Sequence, residues 1–111
     1  MSDMEAADYE RFAHAALAHY QLDSATVKLL SFSENGTFLV DNGAERVVLR
    51  VHRPGYHCMA AIESELDWME SLRRDSSITT PQVIPAPDGR RVVEARIGDD
   101  VCLVDLFTFV E

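Results

Sequence analysis

The chain has 111 residues, of which 47% are hydrophobic, so it can build one modest core and is one domain or a piece of one. Its formal net charge of −9 argues against a nucleic-acid backbone or an anionic membrane surface as the main partner. No apolar run approaches the roughly 20 residues of a membrane span, and the acidic N-terminus does not resemble a signal peptide, so we expect a cytoplasmic protein.

The first predicted element is an amphipathic helix, because apolar residues recur at steps of three and four between Tyr9 and Tyr20. We expect this helix to cover one side of a sheet. Three strands are predicted next, at residues 27–32, 37–40 and 46–52, with turns at 33–36 and 41–43. Each turn contains an Asn-Gly pair, which tolerates positive φ and is a strong hairpin signal. The strands are therefore predicted to form an antiparallel meander.

A second amphipathic helix is predicted over residues 59–74. Glu65 lies within its apolar stripe, where a carboxylate is costly unless a cation pairs with it. Further strands are predicted at 83–84 and 91–95, and an apolar run follows at 101–110. Because this run is still in progress at the last residue, we expect the chain to be the first part of a longer protein.

Arg50 is the natural partner of Glu65, because it lies on the third strand fifteen residues earlier in the chain. Side chains alternate along a strand, so Val48, Arg50 and His52 share one face. A small apolar residue such as Val48 can lie flat against an adenine ring, while the planar guanidinium of Arg50 suits both a carboxylate and a phosphate oxygen. The alternative is that Arg50 is an edge-strand residue whose charged end extends to solvent.

Several other residues that attract notice are expected to carry no chemistry. His57 and Cys58 lie close to His52, but their spacing fits no established zinc pattern, so we expect no metal site. Cys58 and Cys102 form no redox motif, and we expect both to be reduced packing residues. Trp68 lies at the edge of the stripe of the second helix and is expected to pack.

The order of one helix, three antiparallel strands, one helix and two more strands resembles the N-terminal lobe of a protein-kinase-like fold. More specifically, the chain resembles the aminoglycoside phosphotransferase family, which includes homoserine-kinase-like and choline-kinase-like enzymes. The resemblance rests on segments 34–38, 47–51, the helix around Glu65, 81–83, 88–89 and 106–111. It implies an α+β fold with a five-stranded antiparallel sheet, an N-terminal helix and one helix after the third strand. It also implies that residues 1–111 are a nucleotide-binding lobe whose catalytic C-terminal lobe is missing.

The resemblance implies that the phosphates of ATP or GTP bind beside Arg50, which Glu65 would hold in place. The family often has lysine at the position of Arg50, so arginine is a departure from its pattern. The turn that contains Asn35, Gly36 and Thr37 would cover the phosphates with backbone N–H groups. An Asn-Gly pair in this setting is also typical of a plain hairpin turn.

The final segment resembles the hinge between the two lobes of the family. The carbonyl of Thr108 would accept a hydrogen bond from the adenine edge, and the N–H of Val110 would donate one. Phe107 would stand at the back of the pocket. The alternative for this segment is a plain buried strand.

No segment resembles the His-Gly-Asp loop with its downstream Asn, or the later Asp motif, which supply the family's catalytic base and Mg²⁺ ligands. We therefore expect no catalytic residue in this chain and Mg²⁺ only in the full-length protein. The expected function is the nucleotide-binding lobe of a phosphotransferase that moves the γ-phosphate of ATP or GTP to a hydroxyl of a small molecule. Two alternatives stay open, a non-catalytic acidic protein-interaction or pseudokinase-like module and a small independent α+β domain of another class.

Overall fold

The structure is a computed structural model that describes residues 5–32, 35–53, 59–75 and 81–109. Its elements are helices α1 (Ala6–Leu17) and α2 (Met59–Asp75) and strands β1 (Thr26–Phe32), β2 (Asn35–Asp41), β3 (Arg46–His52), β4 (Val93–Ile97) and β5 (Asp100–Thr108). The five strands form one antiparallel sheet in the order β1-β2-β3-β5-β4. The predicted α+β fold and the meander of the first three strands are confirmed. Within the described ranges, no helix is both long and apolar enough to cross a lipid bilayer.

The two predicted turns differ in how they form. Between β2 and β3, Gly43 has φ of 94°, and its N–H donates to Asp41 Oδ1 at 2.8 Å. The turn before β2 was predicted to include Asn35 and Gly36, and this was wrong. Both residues belong to β2, because β2 pairs with β3 up to the last residue of β3. Asn35 lies opposite His52, and Gly36 lies opposite Val51. Residues 33 and 34 lie outside the described part of the chain.

Each face of the sheet has its own apolar cluster. Helix α1 covers one face with five buried side chains, Tyr9, Phe12, Ala13, Ala16 and Leu17. Helix α2 lies on the other face and buries Ile62 and Leu66 against Val83, Val92 and Phe107. The face below α2 is therefore the less completely covered of the two, and it carries the side chains of Val48 and Arg50.

The last part of the sheet is built around β5, which pairs with β3 over its second half and with β4 over its first half. The strand predicted at 83–84 is reduced to one bridge, between Val83 and Phe107. The neighbouring backbone supports this bridge, because Ile84 N–H donates to the Leu106 carbonyl at 2.8 Å and Thr108 N–H donates to the Gln82 carbonyl at 2.9 Å. The strand predicted at 91–95 is displaced by two residues to Val93–Ile97.

Candidate functional site

Arg50 lies near the middle of β3 and is bound by two carboxylates. Its Nη1 donates to Glu65 Oε2 at 3.1 Å and its Nη2 to Glu65 Oε1 at 3.3 Å. On the opposite side, its Nε donates to Asp105 Oδ1 at 3.0 Å and its Nη2 to Asp105 Oδ2 at 2.7 Å. The predicted pairing of Arg50 with Glu65 is thus present, and a second, shorter pairing accompanies it.

Asp105 is the charged residue of this site that the sequence analysis did not predict. It lies on β5 directly opposite Arg50 in the antiparallel register, and its side chain is fully buried. Its Oδ2 is also 3.2 Å from Nε2 of His52, which is buried on the same face. A signal for it existed, because Asp105 is the one charged residue in the apolar run 101–110, the same kind of anomaly that pointed to Glu65.

The pKa values of the paired groups follow from burial and charge. Burial would raise the pKa of the Asp105 carboxyl, but the hydrogen bonds of His52 and Arg50 and the charge of Arg50 hold it below its usual range. Burial alone would lower the pKa of Arg50. The hydrogen bonds and charges of Asp105, and to a smaller extent those of Glu65, outweigh this effect and raise the pKa above its usual value. The Arg50–Asp105 pair is therefore an ionised pair held inside the protein.

Glu65 occupies a more exposed position than its place in the apolar stripe suggested. Its side chain retains 46% of its accessible surface, compared with 18% for Arg50 and none for Asp105. The reason is that α2 buries only Ile62 and Leu66, so Glu65 lies at the margin of the helix contact. Asp105, and not Glu65, is the carboxylate of the interior.

An open cavity of about 370 Å³ lies beside this pair. Its walls are formed by Leu30, Thr37, Val48, Arg50, Glu65, Met69, Pro81, Phe107, Thr108 and Phe109. The structure therefore brings together six of the predicted site residues around one space. Asn35 and Gly36 are not among the lining residues, and Val110 lies outside the described residues.

Aromatic rings and strand irregularity shape the cavity. The centre of the Phe107 ring is 5.1 Å from Cζ of Arg50, within the range of a cation–π contact, so the guanidinium packs over the face of this ring. The Phe109 ring is 4.7 Å from Cζ of Arg46 in the same kind of contact. Leu30 of β1 also lines the cavity. The pairing of β1 with β2 shifts in register between Leu29 and Ser31, so Leu30 has no partner in the regular ladder.

Gly36 faces away from the cavity. A Cβ atom at this position would lie 3.0 Å from Tyr9 Cβ and 3.0 Å from Phe38 Cε1. The close approach of α1 to β2 thus gives a packing reason for glycine here, independent of any phosphate.

The remaining predictions concern a metal site, the cysteines and Trp68. No group of three His, Cys, Asp or Glu residues able to hold a metal occurs among the described residues, and His57 and Cys58 lie outside them. Cys102 is buried, and burial raises the pKa of its thiol to about 12. Trp68 was expected to pack, but it is 63% exposed, because the stripe of α2 that contacts the sheet is narrow.

Comparison with solved structures finds a clear similarity to a kinase. The chain is similar to the solved structure of a microcompartment-associated aminopropanol kinase, with 48% sequence identity and a TM-score of 0.85. The match covers 91% of this chain and 31% of that chain, so this chain spans less than a third of the length of the kinase. No protein-family model and no curated protein matches the chain.

Proposed function

We propose that this chain is the nucleotide-binding lobe of a small-molecule kinase of the aminoglycoside phosphotransferase type. The observation that carries the proposal is the 48% identity with an aminopropanol kinase over 91% of this chain. The site supports it, since a strand arginine and a helix glutamate stand at the edge of a cavity of about 370 Å³, a size suited to a small-molecule ligand.

The cavity residues suit the two chemically different ends of ATP or GTP. Val48, Met69 and Phe107 provide apolar surface on which a base can lie. Arg50 provides a permanent positive charge at one end of this surface, where it can donate to a phosphate oxygen. Thr108 borders the same space, and its carbonyl is our proposed acceptor for the base edge.

Mg²⁺, when bound with the nucleotide, neutralises charge that develops on the phosphates during transfer. We propose that the protein ligands of Mg²⁺ and the catalytic base lie outside these 111 residues. The described residues then contribute binding and orientation of the nucleotide. The lobe alone is proposed to bind nucleotide without transferring its phosphate.

The proposed acceptor is the hydroxyl group of a small molecule held by the part of the enzyme that this chain does not include. The name of the similar kinase makes an amino alcohol the first acceptor to test. This choice follows from the similarity to that kinase, because the cavity residues concern the binding of the nucleotide and not of the acceptor.

Calorimetric titration of the chain with ATP and with GTP, each with Mg²⁺, tests the proposal. We expect saturable binding, weakened about 10- to 100-fold in Arg50→Ala, because hydrogen bonds to charged groups contribute about 1.5–3 kcal/mol. Arg96→Ala is the matched control, because Arg96 is exposed on β4 and pairs only with Glu94 at 3.0 Å among the described residues. Circular dichroism of each variant establishes that it is folded. Absence of binding by the unaltered chain, or equal binding by Arg50→Ala, would refute the proposal.

A further inference from the structure

We infer that Asp105 is the residue that positions Arg50, and that Glu65 is an exchangeable partner which a phosphate group displaces. The inference rests on the proposed function, which it deepens by assigning different tasks to the two carboxylates. In the arrangement expected from the sequence, Glu65 on the helix holds Arg50 on the strand, and Glu65 would be the positioning residue. The contacts, burial and charge of this site favour Asp105 instead.

The donors of Arg50 limit the number of acceptors that it can bind at one time. A guanidinium has five N–H groups, one on Nε and two on each Nη. Four of them are directed at Asp105 and Glu65 by the hydrogen bonds of 2.7–3.3 Å. One N–H of Nη1 remains, whereas a bidentate contact with a phosphate requires two donors. A phosphate that binds Arg50 with two hydrogen bonds must therefore replace one carboxylate.

The two carboxylates also differ in burial. The Asp105 side chain has no accessible surface, and both Arg50 and His52 bind it from the sheet. The Glu65 side chain has 46% of its surface exposed, so water can solvate it as soon as it leaves Arg50. Removing a partner from a buried charge is far more costly than separating an exposed ion pair. The carboxylate that gives way is therefore Glu65.

The charge of the Glu65 carboxylate also opposes the binding of a phosphate beside Arg50. Arg50 carries one positive charge, and the ionised forms of Glu65 and Asp105 carry two negative charges. A phosphate approaching Arg50 thus meets the like charge of the Glu65 carboxylate as long as this carboxylate remains beside the guanidinium. Removing the charge of Glu65 is expected to favour anion binding, provided that Asp105 still holds the guanidinium in place.

The experiment compares Glu65→Gln and Asp105→Asn with the unaltered chain and with Glu94→Gln. Glu94 is the matched control, because it is also a half-exposed glutamate that accepts a hydrogen bond from one arginine, at 3.0 Å. The first measurement is the ¹⁵N NMR signal of Arg50 Nε–H and its exchange with water, without nucleotide. The second is calorimetric titration with ATP and Mg²⁺.

We expect the Arg50 Nε–H to stay protected from exchange in Glu65→Gln and in Glu94→Gln, and to lose protection in Asp105→Asn. We expect Glu65→Gln to bind ATP with Mg²⁺ about three- to tenfold more tightly than the unaltered chain, because a negative charge has left the site. Loss of protection or weaker nucleotide binding in Glu65→Gln overturns the inference, as does unchanged protection in Asp105→Asn.

The two measurements separate this inference from the proposed function. If the unaltered chain binds no nucleotide, the proposed function fails, while the NMR comparison still decides which carboxylate holds Arg50. If Asp105→Asn does not fold, Glu65→Gln decides alone. A protected Arg50 Nε–H in that variant supports positioning by Asp105, and an exchanging one overturns it.

Discussion

At the scale of one residue, Gly36 shows that the glycine of an Asn-Gly pair can be required by close packing. The residue sits in β2 beneath Tyr9 of α1 and beside the ring of Phe38. Its space is closed on two sides at 3.0 Å, and one of the two neighbours is a Cβ atom fixed to the helix backbone. A larger residue can be accommodated only if helix and strand move apart.

We predict that Gly36→Ala lowers the free energy of unfolding by about 1–3 kcal/mol, the usual effect of overpacking. The sign is diagnostic, because alanine at an unobstructed strand position would be more favourable than glycine by about 0.5–1 kcal/mol. Urea denaturation followed by circular dichroism measures the change. An increase in stability would show that α1 does not approach β2 as closely as the structure indicates.

The charged residues of the site show which ion pairs the sequence alone can predict. They are Arg50, Glu65 and Asp105. Arg50 and Glu65 could be paired in advance, because each was a charge within an otherwise apolar pattern. Asp105 presented the same anomaly, but its partner lies 55 positions earlier in the chain. Only the pairing of β3 with β5 places these two residues opposite each other.

At the scale of elements, the two helices are attached to the sheet in different ways. Helix α1 buries five side chains over 12 residues, whereas α2 buries two over 17 residues. Charged contacts supplement the small apolar contact of α2. Arg91, which lies just before β4, binds Glu63 and Glu70 at 2.5 Å each and Asp67 at 2.8 Å. These three acidic residues follow one face of α2, so a single arginine holds about two turns of the helix.

We predict that Arg91→Ala accelerates hydrogen exchange in α2 and leaves α1 unchanged. The loss corresponds to about 1–2 kcal/mol of local stability, because three carboxylates lose their shared cation and then repel one another. Arg96→Ala is the control, since it removes an exposed arginine bound to one carboxylate.

Mass spectrometry of deuterium uptake at low and high salt makes this comparison. The effect should shrink at high salt, because ions screen the half-exposed pairs. Equal uptake in α2 of the unaltered chain and of Arg91→Ala would contradict an electrostatic attachment of the helix.

At the scale of the whole molecule, the buried Asp105 joins β3, β5 and, through Arg50, α2. Its ionised form is therefore required by several elements at once. The folded state holds the pKa of Asp105 below its usual range, whereas the pKa of an unfolded aspartate is about 3.9. Between these two values the unfolded chain binds more protons, so stability must fall as the pH decreases.

We predict that the contribution of Asp105 is fully present above about pH 5 and is lost progressively as the pH falls below about 4. The thermal midpoint measured between pH 7 and pH 2.5 should therefore drop steeply at its acid end. Asp105→Asn should be less stable at neutral pH and should show a shallower drop. The same slope in both proteins would mean that Asp105 is not ionised in the folded state.

The local pattern of the sequence determined the α+β fold, the meander and the two helices, because apolar periodicity and turn chemistry act over a few residues. It also indicated Arg50 and Glu65 and the segment that borders the cavity. The exact start of β2 was not determined in this way, because strand pairing overrode the turn signal of Asn35 and Gly36.

Only the tertiary structure decided which carboxylate lies inside and which lies at the surface. Burial is a property of the packed molecule, and the narrow contact of α2 leaves Glu65 exposed while the register of β3 and β5 encloses Asp105. The assembly of the cavity from β1, β2, β3, α2 and the end of β5 was likewise decided by packing. Residues distant in the chain meet there because the strand order, which a local pattern does not encode, brings them together.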